Sequence, residues 1–383
     1  MKMPLLTSVI ACACIVLTAC SNKITASQVN NNELTELYVV SNESEKNKLV
    51  DDGKYAFTEI QQAVNFAPTH GATIYIEPGV YQQRVEINKQ NISLIGRDRD
   101  NTVIEYGLYA GFIDPEKGKK IGTFGTATFR VTEANFTAKN ITIANSFDYP
   151  ANEKLDKTDS SKVNGEQAVA LQISGNADKS LFINVSLLGY QDTLYADSGR
   201  SAFIDSKISG HVDFIFGAGT VWFENSEIQS RRRYKDVKYT GYITAPSTRI
   251  QTPYGFIFYN CKLTSEEGVT DGSVPLGRPW HPTTTFSDGR YANPYAVGNA
   301  VFMRTSMGAH IATEGWSSMG GTAKDGGKKT QFPPETARFF EYQNTGTGAE
   351  YDREITPEIR RQLTDFEFEQ FYSKSAVLSG WLD

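Results

Sequence analysis

Short runs of alternating apolar and polar residues recur through the centre of the chain at a nearly constant spacing. Four segments share the pattern Phe-x-(Asn/Asp)-x-x-(Ile/Leu), and they begin at Phe182, Phe203, Phe223 and Phe258. Their polar third positions include Asn184, Asp205 and Asn225, which gives a period of 20 to 21 residues. Looser copies contain Asn91 and Asn140. The pattern predicts a repeat in which each copy is one structural unit.

Such a period, with short β-type runs and no long amphipathic helix between them, is typical of a parallel β-helix. Each copy would form one coil, and neighbouring coils would pair as parallel strands. The repeated Phe and Ile side chains are expected to stack inside, while the Asn or Asp side chains hydrogen-bond the backbone at turns. Leucine-rich repeats have a similar period, but their dense leucine pattern is absent from this sequence. The expected fold class is therefore all-β, a single-stranded parallel β-helix.

Helical segments are expected near both ends of this β-helix. Apolar residues at helical spacing predict a short helix from Phe57 to Ala67, which ends before Pro68. Near the C-terminus, the segment from Pro357 to Phe371 predicts a helix that could cover an open face of the fold.

The N-terminus has the features of a targeting segment. Leu5 to Ala19 is apolar but too short to span a bilayer, and it leads into Cys20 through a sequence that resembles a bacterial lipobox. An ordinary signal peptide with a chance cysteine is the alternative. The following residues are rich in Asn, Ser, Glu and Lys. We therefore predict a lipoprotein signal peptide at 1–19, a lipidated Cys20 with a flexible tether over 20–50, and a β-helix domain over 51–383.

The residue after the lipobox cysteine bears on location. Ser21 follows Cys20, whereas Asp at that position is the usual signal for retention in the inner membrane. The sequence therefore predicts a protein that is lipid-anchored in the outer membrane of a Gram-negative bacterium.

Composition and charge exclude several classes of protein. With 39% hydrophobic and 21% charged residues among 383, the chain has a globular composition, and a net charge of −6 argues against a nucleic-acid partner. Only Cys261 of the four cysteines lies beyond the lipobox, so neither an internal disulfide nor a cysteine-based metal site is expected. The sequence contains no Gly-x-Ser-x-Gly motif, and its four histidines show no metal-binding or triad spacing. We predict a monomer without metal or cofactor.

Two aspartates share one position on successive coils. Asp192 and Asp213 each lie eight residues after the polar position of their own repeat. Neighbouring coils are about 4.8 Å apart. Two carboxylates at that distance do not both ionise readily, which favours one acid and one nucleophile. On the next coil, the residue eight positions after the polar position Asn225 is Arg233. Aspartates also recur at β-helix turns for structural reasons, but the shared register, the adjacent Gln191 and the apolar neighbours favour a functional site.

Five sequence motifs make the chain resemble the pectin methylesterases (pectinesterases). The segment Gly79-Val-Tyr-Gln-Gln83 resembles the family motif Gly-x-Tyr-x-Glu, with Gln83 in place of Glu. Four further motifs match unchanged and in the family's order, and these are Gln167-Ala-Val-Ala-Leu171, Gln191-Asp-Thr-Leu194, Asp213-Phe-Ile-Phe-Gly217 and Leu276-Gly-Arg-Pro-Trp280. The resemblance covers most of the chain after Phe57 and implies a right-handed β-helix.

The resemblance also implies a mechanism. Asp213 would attack the C6 methyl-ester carbonyl of a galacturonate unit, and Asp192 would protonate the departing methanol and then activate water. Gln167 and Gln191 would donate hydrogen bonds to the oxyanion, and Arg278 would pair with Asp213. The substrate would be methyl-esterified homogalacturonan. Its contacts are expected at Thr126, Gln167, Phe216, Arg233, Arg278, Trp280, Thr283 and Met307.

Two other functions remain open from the residues themselves. A lyase or a glycosidase can be built on the same scaffold, but such lyases usually need clustered carboxylates for Ca²⁺, and inverting glycosidases need carboxyl groups further apart. A surface lipoprotein that binds glycan, or a relative that has turned to another ester, is the second alternative. The stacked aspartates and the two glutamines favour ester hydrolysis.

Overall fold

A column of stacked phenylalanine rings runs through the interior of the computed structural model, which describes residues 35–327, 329–351 and 358–383. Neighbouring ring centroids in this column are 4.3 to 5.2 Å apart, and the planes lie within 15° of parallel. Its members are Phe182, Phe203, Phe223, Phe258 and Phe302. The predicted internal stacking of the repeat is confirmed, and Phe302 extends the stack by one coil.

The polar positions of the repeat form a second ladder at the turn that follows each phenylalanine. Asn140, Asn184, Asp205, Asn225 and Asn260 all have φ between 51° and 55°, the left-handed region that Asn and Asp tolerate. The Asn184 Nδ2 group donates to Asn140 Oδ1 at 2.9 Å, and Asn260 Nδ2 donates to Asn225 Oδ1 at 2.6 Å. These residue types therefore recur because the turn requires this backbone conformation and their amides stack.

The looser repeat copy at Asn91 is out of register. Phe182 pairs with Ala138 on the preceding coil, and Ala138 pairs with Leu94 on the coil before that. The residue equivalent to Phe182 on the coil of Asn91 is therefore Leu94. Asn91 lies in a different turn, where its Oδ1 accepts a hydrogen bond from Asn135 Nδ2. The prediction at Asn91 was wrong because the short motif Asn-x-x-Leu occurs at both kinds of turn.

Three parallel sheets form the walls of the β-helix in the described chain. Sheet A contains, in spatial order, β2 (Tyr55–Phe57), β1 (Thr35–Val39), β3 (Ala72–Ile76), β6 (Ile92–Gly96), β11 (Thr137–Lys139), β14 (Ser180–Ile183), β17 (Arg200–Ile204), β20 (Thr220–Glu224), β23 (Phe256–Tyr259), β27 (Asn299–Met303) and β31 (Arg338–Tyr342). Sheet B contains β4 (Gly79–Gln82), β7 (Thr102–Tyr106), β12 (Thr142–Asn145), β15 (Ser186–Leu188), β18 (Lys207–Gly210), β21 (Glu227–Ser230), β24 (Lys262–Ser265) and β28 (Ser306–Met307). Sheet C contains β5 (Val85–Ile87), β10 (Phe129–Val131), β13 (Leu171–Ile173), β16 (Leu194–Ala196), β19 (Val212–Gly217) and β22 (Tyr242–Pro246).

Shorter elements connect or cover the coils. Three antiparallel hairpins are formed by β8 (Ile113–Asp114) with β9 (Lys119–Lys120), β25 (Thr283–Phe286) with β26 (Gly289–Ala292), and β29 (Met319–Gly321) with β30 (Thr330–Phe332). The helices are α1 (Glu43–Asp51), α2 (Ile60–Phe66), α3 (Tyr149–Lys154), α4 (Asp365–Phe371) and α5 (Lys374–Leu378), with 3₁₀ turns at Thr123–Gly125, Pro334–Thr336 and Thr347–Ala349. In the described chain, no helix is long and apolar enough to cross a bilayer.

The folded domain begins earlier than the sequence predicted. Residues 35–50, assigned to a flexible tether, contain β1 and most of α1, and β1 pairs in parallel with both β2 and β3. The predicted domain boundary at residue 51 is therefore wrong, because β1 lies within sheet A, between β2 and β3. The predicted signal peptide at 1–19 and the lipidation site Cys20 lie outside the described residues.

The predicted N-terminal helix is confirmed as α2, although it begins three residues later than expected. Gln83, which departs from the family motif, lies close to this helix. Its Oε1 atom accepts a hydrogen bond from the backbone N–H of Gln61 in the first turn, at 3.2 Å. The departure is therefore accommodated as a local contact, remote in sequence from the aspartates.

The C-terminal segment covers the outer face of sheet A, where Leu363, Val377 and Leu378 pack against Trp222 and Ile257. The helical part is shorter than predicted, because α4 begins only after the N-cap Thr364. The preceding residues are extended and pair with β31, since the Leu363 N–H donates to the Glu341 carbonyl and the Glu341 N–H donates to the Arg361 carbonyl. The predicted start at Pro357 lies outside the described residues.

Candidate active site

The two aspartates lie at the same position on adjacent coils, Asp192 just before β16 and Asp213 near the start of β19. The strand register pairs Leu194 with Ile215 and Tyr195 with Phe216, so Asp192 and Asp213 are also equivalent. Both have positive φ values, 65° and 52°. The stacking predicted from the equal sequence offset is therefore present, with a coil spacing of about 4.8 Å.

A backbone irregularity follows Asp213 in β19. The pairing of β19 with β22 shifts register between Val212 and Ile215, as at a β-bulge. Phe214, next to the aspartate, is fully buried in the core. The bulge thus lets the consecutive residues Phe214 and Ile215 both enter the core, while Asp213 before them and Phe216 after them line the cleft.

Arg278 binds Asp213 through two parallel hydrogen bonds. Its Nε donates to Asp213 Oδ1 at 2.8 Å and its Nη2 donates to Oδ2 at 2.7 Å. The guanidinium also lies over the ring of Tyr242, 3.8 Å from the centroid. The Arg278 backbone N–H donates to the Thr244 carbonyl on the neighbouring coil. This bidentate geometry fixes the orientation of the Asp213 carboxylate.

Asp192 has the opposite environment. Its side chain makes no hydrogen bond within the described residues, and the residue is only 9% exposed. Burial, together with the negative charge of Asp213, raises the pKa of Asp192 well above its usual range, and Arg278 offsets this only in part. Asp213 is therefore fixed in an ion pair with Arg278, whereas the raised pKa of Asp192 favours its protonated form.

Two glutamine amides complete the polar wall of the cleft. Gln167 and Gln191 are placed by backbone hydrogen bonds, since their carbonyls accept the N–H groups of Ala110 and Ala168. Their side-chain amides make no hydrogen bond within the part of the chain that the structure describes. These donors are therefore free to bind an oxygen atom that develops negative charge.

The aspartates face a cleft of about 320 Å³ on the outer surface of sheet C. Phe216 stacks on Tyr195 with a centroid distance of 4.8 Å, and Trp280 meets Phe216 edge-on at 5.7 Å. The cleft is lined by Thr123, Phe124, Gln167, Gln191, Asp192, Asp213, Phe216, Ala245, Arg278, Trp280 and Met319. All five predicted catalytic residues and two predicted substrate contacts, Phe216 and Trp280, therefore meet at one site.

Four predicted substrate contacts do not line this cleft, and these are Thr126, Met307, Thr283 and Arg233. The Thr126 hydroxyl is fully buried, where it donates to the Thr123 carbonyl and accepts the Val169 N–H. Met307 is 1% exposed and belongs to the core. Thr283 begins β25 and pairs its hydroxyl with that of Thr322 at 2.8 Å. For Thr126 and Met307 the expectation of a side-chain contact fails, because each side chain is enclosed by the protein itself.

The predicted register of Arg233 is wrong. A loop over residues 231–241 separates β21 from β22, and the coil partner of Val212 is Tyr242. Arg233 instead contacts buried Glu153, with 3.3 Å between Nε and Oε1. Counting a constant offset failed because this coil carries the inserted loop. The cation next to the aspartates is Arg278.

The sequence analysis missed Phe124 and Met319. Phe124 packs on Tyr195, with 4.7 Å between ring centroids, and it directly precedes the segment that contains Thr126. Inspection of the residues next to Thr126 would have identified Phe124. Met319 comes from the β29–β30 hairpin, and no sequence pattern links that hairpin to the aspartates.

No cysteine or histidine lines the described cleft. Burial raises the pKa of the Cys261 thiol to about 12 and lowers that of His310 to about 4. Among the described residues, no group of three or more His, Cys, Asp or Glu side chains is placed to hold a metal ion. The chemistry available in the cleft is that of carboxyl, amide and guanidinium groups.

A parallel β-helix that presents a stacked carboxyl pair, an arginine and two free amides defines a hydrolase that works through carboxyl groups.

Comparison with known sequences supports this class. The pectinesterase family matches residues 47–380. Pectinesterase A of Dickeya dadantii is 44% identical over 341 residues, which cover 87% of this chain and 90% of the relative. Pectinesterase 2 of Olea europaea is 32% identical over 346 residues, which cover 88% and 79%.

Solved structures agree as well. Pectin methylesterase PemA from Erwinia chrysanthemi has a TM-score of 0.83 and 43% identity, covering 91% of this chain and 98% of that one. Pectin methylesterase from Yersinia enterocolitica has a TM-score of 0.80 and 46% identity, covering 85% and 100%. The chain belongs to the pectinesterase family, whose members are carboxylic ester hydrolases.

Proposed function

We propose that this chain hydrolyses the C6 methyl esters of homogalacturonan, with Asp213 as the nucleophile and Asp192 as the acid and base. The observation that carries the proposal is the unequal carboxyl pair. Asp213 accepts two hydrogen bonds from Arg278, at 2.7 and 2.8 Å, whereas Asp192 is buried, without a hydrogen bond in the described chain, and has a raised pKa. A nucleophile and a proton donor thus stand side by side.

In the first half of the reaction, an Asp213 oxygen bonds to the ester carbonyl carbon, and the carbonyl electron pair moves to its oxygen. The resulting oxyanion accepts hydrogen bonds from the amides of Gln167 and Gln191. When this intermediate collapses, the bond to the methoxy oxygen breaks, and Asp192 gives its proton to that oxygen. Methanol leaves, and the acyl group stays on Asp213 as a mixed anhydride.

Water completes the second half. Asp192, now a carboxylate, accepts a proton from the water molecule whose oxygen bonds to the acyl carbon. The bond between that carbon and Asp213 then breaks, and Asp213 returns to its ion pair with Arg278. The ester and one water molecule have become a free carboxylic acid and methanol, and both aspartates have regained their starting protonation.

The aromatic side chains suit a carbohydrate ester. Trp280, Phe216 and Phe124 line one end of the cleft next to the carboxyl pair. Flat rings bury the apolar faces of sugars, and the same surface can receive the ester methyl group. A related pectin methylesterase, 43% identical to this chain, has been solved in complex with hexasaccharide VII. This complex supports a polysaccharide substrate.

The proposal is tested by methanol release from highly methylated pectin, with polygalacturonate that lacks methyl esters as the control. We expect methanol from the first polymer and none from the second, with no shortening of either chain. Chain cleavage without methanol would instead favour the lyase or glycosidase alternative.

Ester hydrolysis should be independent of metal ions. The charges that develop in the reaction are assigned to Gln167, Gln191 and Arg278, so extensive EDTA treatment should leave the rate of methanol release unchanged. The measurement compares treated enzyme with and without added Ca²⁺. A loss of activity that Ca²⁺ restores would contradict the assignment.

The proposed location rests on the N-terminal sequence. We propose that Cys20 carries the lipid anchor in the outer membrane and that the enzyme works as a monomer. Because the described domain begins at Thr35, only residues 21–34 link it to the anchor. At full extension these residues reach at most about 50 Å. The acyl chains of a lipidated cysteine together anchor a protein more firmly than one chain does.

Replacement of Cys20 by alanine tests the anchor. We expect wild-type activity in the outer-membrane fraction and the activity of Cys20→Ala in the soluble fraction, because the thiol is the acceptor for the lipid. Ser21→Ala is the matched control and should stay with the membrane. Wild-type enzyme in a soluble fraction, or a variant that stays membrane-bound, would contradict the proposal.

A further inference from the structure

Two arginines line a second cavity on the same face of sheet C as the active-site cleft. This cavity has a volume of about 320 Å³. Its lining residues are Gln61, Arg84, Val85, Glu86, Ala127 and Arg130. None of these side chains has a part in the proposed reaction.

The strand register places this cavity in line with the active-site floor. Arg130 pairs with Gln172, Gln172 with Tyr195, and Tyr195 with Phe216 on successive coils. Arg130 therefore occupies the same outward position as Phe216, three coils away, which is about 14 Å at the usual strand spacing. A polysaccharide that follows the sheet face from the cleft would reach Arg130 after a few sugar units.

One short segment separates the cavity from the cleft. Thr123 and Phe124 face the cleft, and Ala127 faces the arginine cavity. Arg84 donates to the carbonyls of Gly125 and Ala127 at 3.0 and 3.1 Å. Arg130 Nη2 donates to the Phe124 carbonyl at 2.9 Å. The two sites therefore lie on either side of this segment.

The positive charge of the cavity is only partly balanced. The nearest carboxylate is Glu86, 3.8 Å from Arg130 Nη1, which is beyond hydrogen-bond distance. The Arg130 Nε group is buried and has no hydrogen-bond partner among the described residues. Burial, and then the charge of Arg130, lowers the pKa of Arg84. In the described chain the two guanidinium groups thus share Glu86 as a counter-charge, and each retains N–H groups that make no hydrogen bond there.

We propose that Arg84 and Arg130 bind the free carboxylate of a galacturonate unit that lies a few units along the chain from the reacting ester. This inference rests on the proposed function. Guanidinium groups bind carboxylates through paired, charge-assisted hydrogen bonds, whereas a methyl ester is neutral and a weaker acceptor. The preferred substrate is then a partly de-esterified chain with a free carboxylate at this distance from an ester.

A purely structural role for the arginines predicts a different result. If they only hold the segment of Phe124, Gly125 and Ala127 in place, their replacement should impair turnover of every substrate equally. Recognition of a free carboxylate should instead change the ratio between charged and uncharged substrates. The ratio separates the two roles even where a variant also moves Phe124.

The experiment uses the full-length enzyme and its Arg130→Gln and Arg84→Gln variants. Glutamine retains an N–H donor for the backbone carbonyls but loses the charge. For each enzyme, kcat/KM is measured on fully methylated and on partly de-esterified oligogalacturonides of equal length. Calorimetry measures the affinity for unesterified hexagalacturonate. Arg97→Gln is the matched control, because Arg97 is exposed, pairs with Glu77 and lines neither site.

We expect each variant to lose about tenfold in affinity for hexagalacturonate and in kcat/KM on the partly de-esterified substrate, as for one charge-assisted hydrogen bond. The kcat/KM on fully methylated oligomers should change little, and Arg97→Gln should match wild type. An equal loss on both substrates, or unchanged affinity for hexagalacturonate, would overturn the inference. Wild-type enzyme that releases no methanol would overturn the proposed function, whereas the binding measurement would still decide the role of the arginines.

Discussion

Replacement of Asp213 by asparagine should lower kcat for methanol release by at least about 10³-fold, the scale of loss seen when a nucleophile is removed. An amide oxygen cannot form and release the acyl bond as a carboxylate does. The fold should survive, because asparagine tolerates the positive φ of 52° at this position. It can also still accept a hydrogen bond from Arg278.

A matched control exists one turn earlier on the same coil. Asp205 has nearly the same backbone conformation, with φ of 51°, and other coils carry asparagine at its position. Asp205→Asn should therefore keep wild-type kcat. Steady-state kinetics on methylated pectin, with circular dichroism to verify folding, makes the comparison. A folded Asp213→Asn enzyme with most of its kcat would show that Asp213 is not the nucleophile.

Replacement of Asp192 by asparagine should also remove nearly all turnover, because an amide cannot donate a proton to the departing methoxy oxygen. In the wild type, kcat should fall as the pH rises through the pKa of Asp192, since the acid is then ionised before methanol leaves. The raised pKa shifts this loss toward higher pH than an exposed aspartate would give.

The same substitution has a second expected effect, on stability. A carboxyl whose pKa is raised in the folded state binds more protons there than in the unfolded chain, so its ionisation at higher pH destabilises the fold. The amide introduced by Asp192→Asn cannot ionise. Its Tm should therefore exceed that of wild type by a few degrees at high pH.

Thermal unfolding across a pH series measures this effect. The difference in Tm between Asp192→Asn and wild type should shrink toward zero as the pH falls and wild-type Asp192 becomes protonated. A constant difference, or one that grows toward acid pH, would contradict the raised pKa. The Asp205→Asn variant again serves as the control, since its carboxyl is exposed.

The structural features that recur from coil to coil could be predicted from the sequence. The Phe column and the left-handed Asn and Asp turns follow from local rules, and equal offsets from those turns predicted the stacking of Asp192 on Asp213. The prediction failed at Arg233 because a loop lengthens that coil. Arg278 reaches Asp213 across 65 residues of sequence, and only the family resemblance pointed to it.

The two ends of the domain were harder to predict. Helix α1 buries none of its residues, so its polar composition could not be distinguished from that of a tether. Strand β1 is short and gains its stability from pairing with β3, which lies more than thirty residues later in the sequence. At the C-terminus, residues 361–363 are not helical because they pair with β31 instead. Such non-local pairing overrides local propensity.

That pairing at β31 also protects an exposed edge of sheet A. A stack of parallel strands ends in a row of unpaired N–H and C=O groups, which can template the addition of another chain. Here the extended C-terminal segment occupies part of this last edge, through the pairing of Glu341 with Gln362. Behind it, Arg360 and Glu341 form an ion pair in which both side chains are at most 2% exposed. An incoming apolar strand would have to displace the segment and uncover two buried charges, so the end of the coil stack resists edge-to-edge aggregation.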